Sequence, residues 1–333
     1  MQLQSGGIFA GRYKLLEQIR TADFAEVWKA ADQRMEDCEV ALKIYATEEG
    51  YDNQELKMFA RDFASVSDLN HPHLWTARYF DIQEGVPFAI MPYAKYTSLQ
   101  ETLIENGKLG EKGIAEVVLQ IGGALSYLHA ADKSHTNLTP DNILRDSEGK
   151  YLLTDFEISP ELAIRMEKLA ESSQELSRAY APPESFDSKA PLSAEANIFS
   201  FGAMIYAMAT GNVPWMGGGG TRLKPDSPPL ELPKGYSEEL EAVLQKCVSF
   251  DPADRPTAGD LVLAAKGFLE NGFWALEADS SKSMKVHTSD ITQESTAPTK
   301  NAESSEEETS TKSEESSFAS NLLALVALLW FLS

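Results

Sequence analysis

The segment HTNLTPDNIL, residues 135–144, has the rhythm of a loop that handles phosphate chemistry. Its third residue, Asn137, is an amide where such chemistry calls for a carboxylate, because an amide oxygen is not basic at physiological pH. Lys43 is a second candidate, since it lies in the apolar stretch EVALKIY, where a buried ammonium group is costly unless an anion meets it. The loop therefore lacks the carboxylate that its rhythm calls for, and the lysine by itself is a weak signal, because strand edges often place a lysine in solvent.

Strands and helices must position these candidate residues, and the spacing of apolar residues predicts that they form two lobes. Residues 13–91 show short β-like runs interrupted by one helical stretch at 53–69, which predicts a small sheet with one helix. From residue 98 to 276 the apolar spacing is helical, most clearly at 111–131 and 194–210. We therefore expect an α+β fold, with a sheet lobe followed by a larger, mainly helical lobe.

Composition argues against several classes of protein. The 333 residues carry a formal charge of −22, which disfavours a nucleic-acid partner, because phosphate binding needs a basic face. Cys38 and Cys247 lie far apart with no Cys/His cluster, so neither a zinc site nor a disulfide framework is indicated. The first residues lack a basic region followed by an apolar run, so a cytoplasmic domain is expected.

The C-terminal part of the chain changes character. Residues 278–317 are rich in Ser, Thr and Glu with few large apolar side chains, which predicts a disordered linker. Residues 318–333 include LLALVALLWFL, whose eleven residues would reach about 16 Å as a helix, against a hydrocarbon core of ~30 Å. A short membrane anchor and a helix that docks on protein both fit this pattern. We favour the anchor, with a soluble cytoplasmic protein as the alternative.

Five motifs follow one another along the chain, and they are HTNLTPDN, DF at Asp155, YAPPE, ANIFSFGAMIYAMATG and DPADRP. In this order and at these separations the chain resembles the eukaryotic-type protein kinases, and among them the membrane-tethered serine/threonine kinases of bacteria. The resemblance covers residues 10–276. It implies a two-lobed kinase fold, with an N-lobe at 10–93 and a C-lobe at 94–277.

The resemblance assigns roles to residues that are kept. Lys43 matches the strand lysine that pairs with ATP phosphates, while Asn142 and Asp155 match the two magnesium ligands. An ammonium group, an amide oxygen and a carboxylate suit a magnesium-bound triphosphate, so ATP and Mg²⁺ are the expected ligands. Asp62 matches the helix acid that pairs with the strand lysine. It is one methylene shorter than the usual glutamate, so the helix must move inward to reach Lys43.

Hinge and scaffold positions match as well. Pro92 and Ala94 fall at the hinge, where the Pro92 carbonyl and the Ala94 N–H remain for adenine. Glu184 and Arg255 match the family's buried ion pair between the activation segment and the helical lobe. Breaking such a pair typically costs about 3 to 5 kcal/mol.

The departures fall on the groups that handle phosphate. The glycine positions of the family's glycine-rich loop hold Arg20, Ala22 and Ala25, which weakens the grip of backbone amides on phosphate. Asn137 stands at the catalytic base, whose assistance is worth about 10² to 10⁴-fold in rate. Thr139 replaces the lysine that steadies the transferring phosphate.

Three further departures surround the loop. Glu157 replaces the glycine of the Asp-Phe-Gly triplet, which stiffens a hinge and adds a carboxylate. Asn197 replaces the helix aspartate that braces the catalytic loop. Residues 216–231 contain four consecutive glycines and replace the docking helix of the family, so a linker is predicted there.

Together these features predict a pseudokinase, a kinase-like domain that binds ATP and Mg²⁺ and acts on a protein partner as a signalling scaffold or regulator. The alternative is a weak or unconventional serine/threonine kinase, since most phosphoryl-transfer catalysis is positioning and electrostatics. A third interpretation is a structural spacer that binds no nucleotide.

Overall fold

The computed structural model of the protein describes residues 3–22, 25–46, 50–169, 175–186 and 193–276. Over these ranges a curled antiparallel sheet with one helix precedes a mainly helical lobe, which confirms the predicted α+β, two-lobed fold. The predicted linker and apolar tail lie outside the described residues. Among the helices that are described, none combines the length and the apolar character needed to cross a bilayer.

The first lobe is a six-stranded sheet. Its strands are β1 (Ile8–Phe9), β2 (Tyr13–Ala22), β3 (Ala25–Asp32), β4 (Cys38–Ile44), β5 (Tyr79–Gln83) and β6 (Val86–Pro92). They pair antiparallel in the order β1-β2-β3-β4-β6-β5. Sequence reasoning found four of them. It missed β1, which has two residues, and β5, because none of the β5 side chains is fully buried and the alternation is weak.

The single helix of this lobe is α1 (Asn53–Ala64). It begins with a capping box, in which Asp52 accepts from the N–H of Glu55 and the Glu55 side chain accepts from the N–H of Asp52. The prediction extended this helix to residue 69, which is too long. Ser65 ends it, because the Ser65 hydroxyl and N–H both donate back into the last turn.

The second lobe contains the remaining helices and a small three-stranded sheet. The helices are α2 (Leu99–Asn106), α3 (Glu111–Ala130), α4 (Pro160–Leu169), α5 (Glu175–Tyr180), α6 (Ala194–Thr210), α7 (Glu238–Cys247) and α8 (Ala258–Asn271), and the strands are β7 (Thr97–Ser98), β8 (Ile143–Arg145) and β9 (Tyr151–Leu153). The core of this lobe forms around α3 and α6. Helix α6 is apolar on every side, and it is buried on nearly every side as a result.

The glycine-rich segment after α6 is more ordered than a linker. It forms two short 3-10 turns, Pro214–Gly217 and Gly219–Arg222. A Cβ on Gly220 would lie 2.1 Å from the backbone nitrogen of Pro183, and the Gly220 N–H donates to the carbonyl of Ala181 at 2.8 Å. The predicted loop in place of a docking helix is confirmed, since residues 216–231 contain no α-helix, but its glycines serve close backbone packing rather than an open linker.

Candidate functional site

The centre of the site is an ion pair between the two lobes. Lys43 lies on β4 opposite Val27 and Ala89, and its Nζ is 2.7 Å from Oδ1 of Asp155. Burial acts to lower the pKa of Lys43, but the charge of Asp155, with further contributions from Tyr45 and Glu157, outweighs it in sum, so the pKa is raised overall. Burial likewise acts to raise the pKa of Asp155, but Lys43 and then Arg20 lower it to about 2. Both groups are therefore charged at neutral pH.

A buried histidine ties the loop of residues 135–144 to the backbone of Thr154, the residue before Asp155. The N–H of Asn137 donates to Nδ1 of His135 at 3.1 Å, so the proton of this imidazole is on Nε2. Nε2 then donates to the carbonyl of Thr154 at 2.8 Å. Burial lowers the pKa of His135 to about 4, which keeps the ring neutral. This imidazole holds Asn137 and Asp155 at a defined separation.

Asn197, on α6, braces the same loop from behind. Its Oδ1 accepts from the N–H of His135 at 2.8 Å and from Nε2 of His129 at 3.1 Å. Its Nδ2 donates to the carbonyl of His135 at 2.7 Å. The amide thus does what the expected aspartate does and adds one donor, so this departure does not loosen the loop.

The two positions that the resemblance gives to catalysis differ in burial. Asn137 is exposed, and its carbonyl accepts from Nδ2 of Asn142 at 2.8 Å. Thr139 is 3% exposed, so a buried hydroxyl stands where a cation was expected. These two positions therefore present an exposed amide and a buried hydroxyl in place of a base and an ammonium group.

Arg20 approaches this loop from β2. Its Nη1 donates to the carbonyl of Asp141 at 2.9 Å, and its Nη2 donates to Oδ1 of Asn142 at 3.3 Å. Sequence reasoning treated Arg20 only as a lost glycine. No local signal could reveal the contact, because 122 residues separate the arginine from Asn142.

The magnesium ion expected from the resemblance can be tested against these contacts. Amide and carboxylate oxygens are the right donors for Mg²⁺. However, Oδ1 of Asn142 is engaged by Arg20, and Oδ1 of Asp155 accepts from both Lys43 and the hydroxyl of Thr154. In this arrangement Mg²⁺ could be held by Asn142 only if Arg20 released Oδ1.

Asp62 lies away from the lysine it was predicted to meet. It is 3% exposed, and its Oδ2 accepts from the N–H of Ser159 at 2.9 Å while Oδ1 accepts from Arg61. Ser159 directly precedes α4, so Asp62 satisfies a free N–H group at the start of that helix. Lys43 pairs with Asp155 instead. The apolar side chains through which α4 and α1 pack together are Phe59, Phe63, Leu162 and Met166.

Glu157 adds a second carboxylate beside the ion pair. It is 6% exposed, and among the described residues nothing donates a hydrogen bond to its Oε2. Burial raises the pKa of Glu157 to about 7, with a further contribution from Asp155, while Lys43 opposes the shift. The sequence indicated the extra carboxylate but not its burial. Because of that burial, Glu157 is about half ionised at neutral pH, close enough to Lys43 for the two charges to interact.

The hinge and scaffold residues are arranged as follows. Pro92 ends β6 opposite Val40, and Ala94 is exposed in the segment 93–96 that joins the two sheets. The predicted lobe boundary falls in this segment. Arg255 contacts both oxygens of Glu184, at 2.5 and 2.9 Å, and its side chain is fully buried. The roles of Pro92 and Ala94 toward adenine stay predictions.

Comparison with known proteins identifies related sequences. A family model described as "Protein kinase domain" matches residues 13–265. The serine/threonine-protein kinase PrkC of Bacillus subtilis is 26% identical over 265 residues, which are 77% of this chain and 40% of that protein. The serine/threonine-protein kinase PknA of Mycobacterium tuberculosis is 28% identical over 273 residues, which are 78% of this chain and 61% of that protein. This chain thus matches less than two thirds of the length of each relative.

Proposed function

Because the chain belongs to the protein kinase domain family, we propose that it is a nucleotide-binding pseudokinase, which regulates or scaffolds a protein partner with little or no phosphate transfer. The observation that carries the proposal is the amide of Asn137 at the position of the catalytic base. Asn137 is exposed in a loop that His135 ties to the carbonyl of Thr154, the residue before Asp155, yet its amide cannot accept a proton. The loop is thus held in place while the base is absent, which costs about 10² to 10⁴-fold in rate.

Nucleotide binding is supported by the groups that remain. Lys43 provides a buried ammonium group at the interface of the lobes, and its partner Asp155 keeps it oriented. The Pro92 carbonyl at the end of β6 and the N–H of the exposed Ala94 remain for an adenine ring. The family generally uses ATP with Mg²⁺, which acts by neutralising charge on the transferring phosphate.

A thermal melting experiment on the full-length protein tests this proposal. ATP at about 100 times its Kd should raise the free energy of unfolding by about 2.7 kcal/mol. For a domain of this size that corresponds to a rise in Tm of about 5 to 11 °C. The absence of any shift at millimolar ATP, with or without Mg²⁺, would contradict nucleotide binding and support the structural spacer.

A weak serine/threonine kinase is the second candidate. It is favoured by the intact Lys43–Asp155 and Glu184–Arg255 pairs, and by relatives that are named as serine/threonine-protein kinases. The test is transfer of labelled phosphate from ATP to a generic protein substrate, with Asp155→Ala as the background. Transfer by the unmodified protein well above that background would replace the pseudokinase proposal with this one.

We also propose that the protein associates with a membrane, on the composition of residues 322–332 alone. Full-length protein should sediment with membranes after lysis, and a variant that lacks residues 322–333 should be found in the supernatant. Recovery of the full-length protein in the supernatant would refute the anchor.

A further inference from the structure

The arginine at the first glycine position places a fixed positive charge inside the cleft. Arg20 is half-buried at the end of β2, and it donates one hydrogen bond to the carbonyl of Asp141 and another to Oδ1 of Asn142. Its charge also acts on Asp155, the other oxygen donor of the site. A guanidinium group thus contacts Asn142 directly and acts electrostatically on Asp155, the two residues that the family resemblance assigns to magnesium.

The guanidinium group can do part of what the metal does. It carries its charge at every accessible pH, and its planar array of N–H groups matches phosphate oxygens. Of its five N–H groups, two donate to the loop, and none of the others is bonded to a residue that the structure describes. Lys43 provides a second cation, whose Nζ is 2.7 Å from Oδ1 of Asp155.

A divalent ion and Arg20 compete for the same oxygen. Coordination by Asn142 requires Oδ1, which accepts from Nη2 of Arg20. The metal would have to break that bond and then remain close to the arginine charge, which repels it. Since Thr139 and the alanines at the other glycine positions add no charge, Arg20 and Lys43 are the cations that the described site offers to phosphate.

We propose that Arg20 is the cation of the phosphate site, so that this protein binds a nucleoside triphosphate without a divalent metal ion. The inference rests on the nucleotide binding proposed above. It assigns to Arg20 a direct contact with the phosphates, and it makes metal independence a property of this chain's own residues.

Calorimetric titration of the full-length protein with ATP, once with excess Mg²⁺ and once with EDTA, tests the inference. For the unmodified protein we expect Kd values that agree within about two-fold. Arg20→Gln should weaken binding in EDTA by about ten-fold or more, because a charge-assisted contact is lost. Mg²⁺ should then strengthen binding to this variant, since Oδ1 of Asn142 becomes free. Arg20→Lys should retain part of the binding in EDTA.

Lys14→Gln is the matched control, because Lys14 is an exposed cation on the same strand and its loss changes the net charge by the same amount. It should bind ATP as the unmodified protein does in both buffers. Binding of ATP by the unmodified protein only with Mg²⁺ would overturn the inference and leave the proposed function standing. Unchanged binding by Arg20→Gln in EDTA would overturn it as well. No binding in either buffer would refute the proposed function, and the inference with it.

Discussion

Replacement of Arg255 by glutamine should destabilise the protein strongly. None of the Arg255 side chain is exposed, and it donates to both oxygens of Glu184. It also donates to three backbone carbonyls, those of Ser249, Glu195 and Phe250. Its guanidinium carbon lies 5.0 Å from the ring centre of Phe199. Glutamine is too short to replace these contacts, so a mostly buried carboxylate and three carbonyls lose their donor.

The size of the effect follows from burial. Removal of one partner of a buried ion pair costs about 3 to 5 kcal/mol, because the other charge is left unpaired. At about 2 to 4 °C per kcal/mol for a domain of this size, Tm should fall by about 6 to 20 °C. Glu184 is 19% exposed on its side chain, so water relieves it in part and the lower half of this range is expected.

The assay is thermal unfolding followed by circular dichroism, with Lys266→Gln as the matched control. Lys266 and Glu270 are one turn apart on α8, at 3.8 Å, and both side chains are 59% exposed. Such a pair contributes about 0.3 to 0.5 kcal/mol, so the control should melt within about 2 °C of the unmodified protein. If Arg255→Gln melts as the control does, the buried pair does not hold the activation segment to the helical lobe.

Three further predictions concern single positions. Burial raises the pKa of Glu157 from 4.5 to about 7, so its contribution to stability is present below pH 4.5 and lost as the pH rises through 7. Glu157→Gln should remove this fall in the free energy of unfolding with rising pH, and at about pH 8 the variant should be more stable than the unmodified protein by up to about 3 kcal/mol. If urea unfolding gives the two proteins parallel profiles of stability against pH, this prediction is wrong. A Cβ at Gly202 would lie 2.5 Å from a Cβ of α7, so Gly202→Ala should lower the free energy of unfolding by about 1 to 3 kcal/mol. At Gly113 the nearest atom would be 3.7 Å away, so Gly113→Ala should stabilise α3 by up to about 1 kcal/mol. If the same assay finds Gly202→Ala the more stable of the two variants, the packing argument is wrong. Asn137→Asp alone should restore little phosphate transfer, and Thr139→Lys added to it should exceed the sum of the single changes, because the base and the cation act on one transition state; full transfer by the single variant would show that the lysine position is dispensable.

The sequence by itself predicted the features that depend on local patterns. Helix α6 has the predicted limits, 194–210, because its apolar run is bounded by Ser193, which caps the N-terminus, and Gly211, which adopts a left-handed conformation at the C-terminus. The order of the motifs predicted the two-lobed fold for a similar reason. Each motif is a short stretch whose residue types are readable without knowledge of its neighbours in space.

Other features depended on which distant groups the fold brings together. Asp62 was expected to reach Lys43, but it accepts from the N–H of Ser159, 97 residues away, because α4 packs against α1 and exposes a free donor there. Glu157 was visible as an extra carboxylate, but its burial is a property of the packed lobes. In neither case does the local sequence say which partner lies within reach.

Arg20 shows this limit most directly. Its type and position were evident from the sequence, and they indicated only that a glycine was lost. The contact with Asn142 arises because β2 and the loop of residues 135–144 face one another across the lobes. A hydrogen bond depends on a separation of about 3 Å in space, whereas the sequence records only the 122 residues that separate the two side chains along the chain.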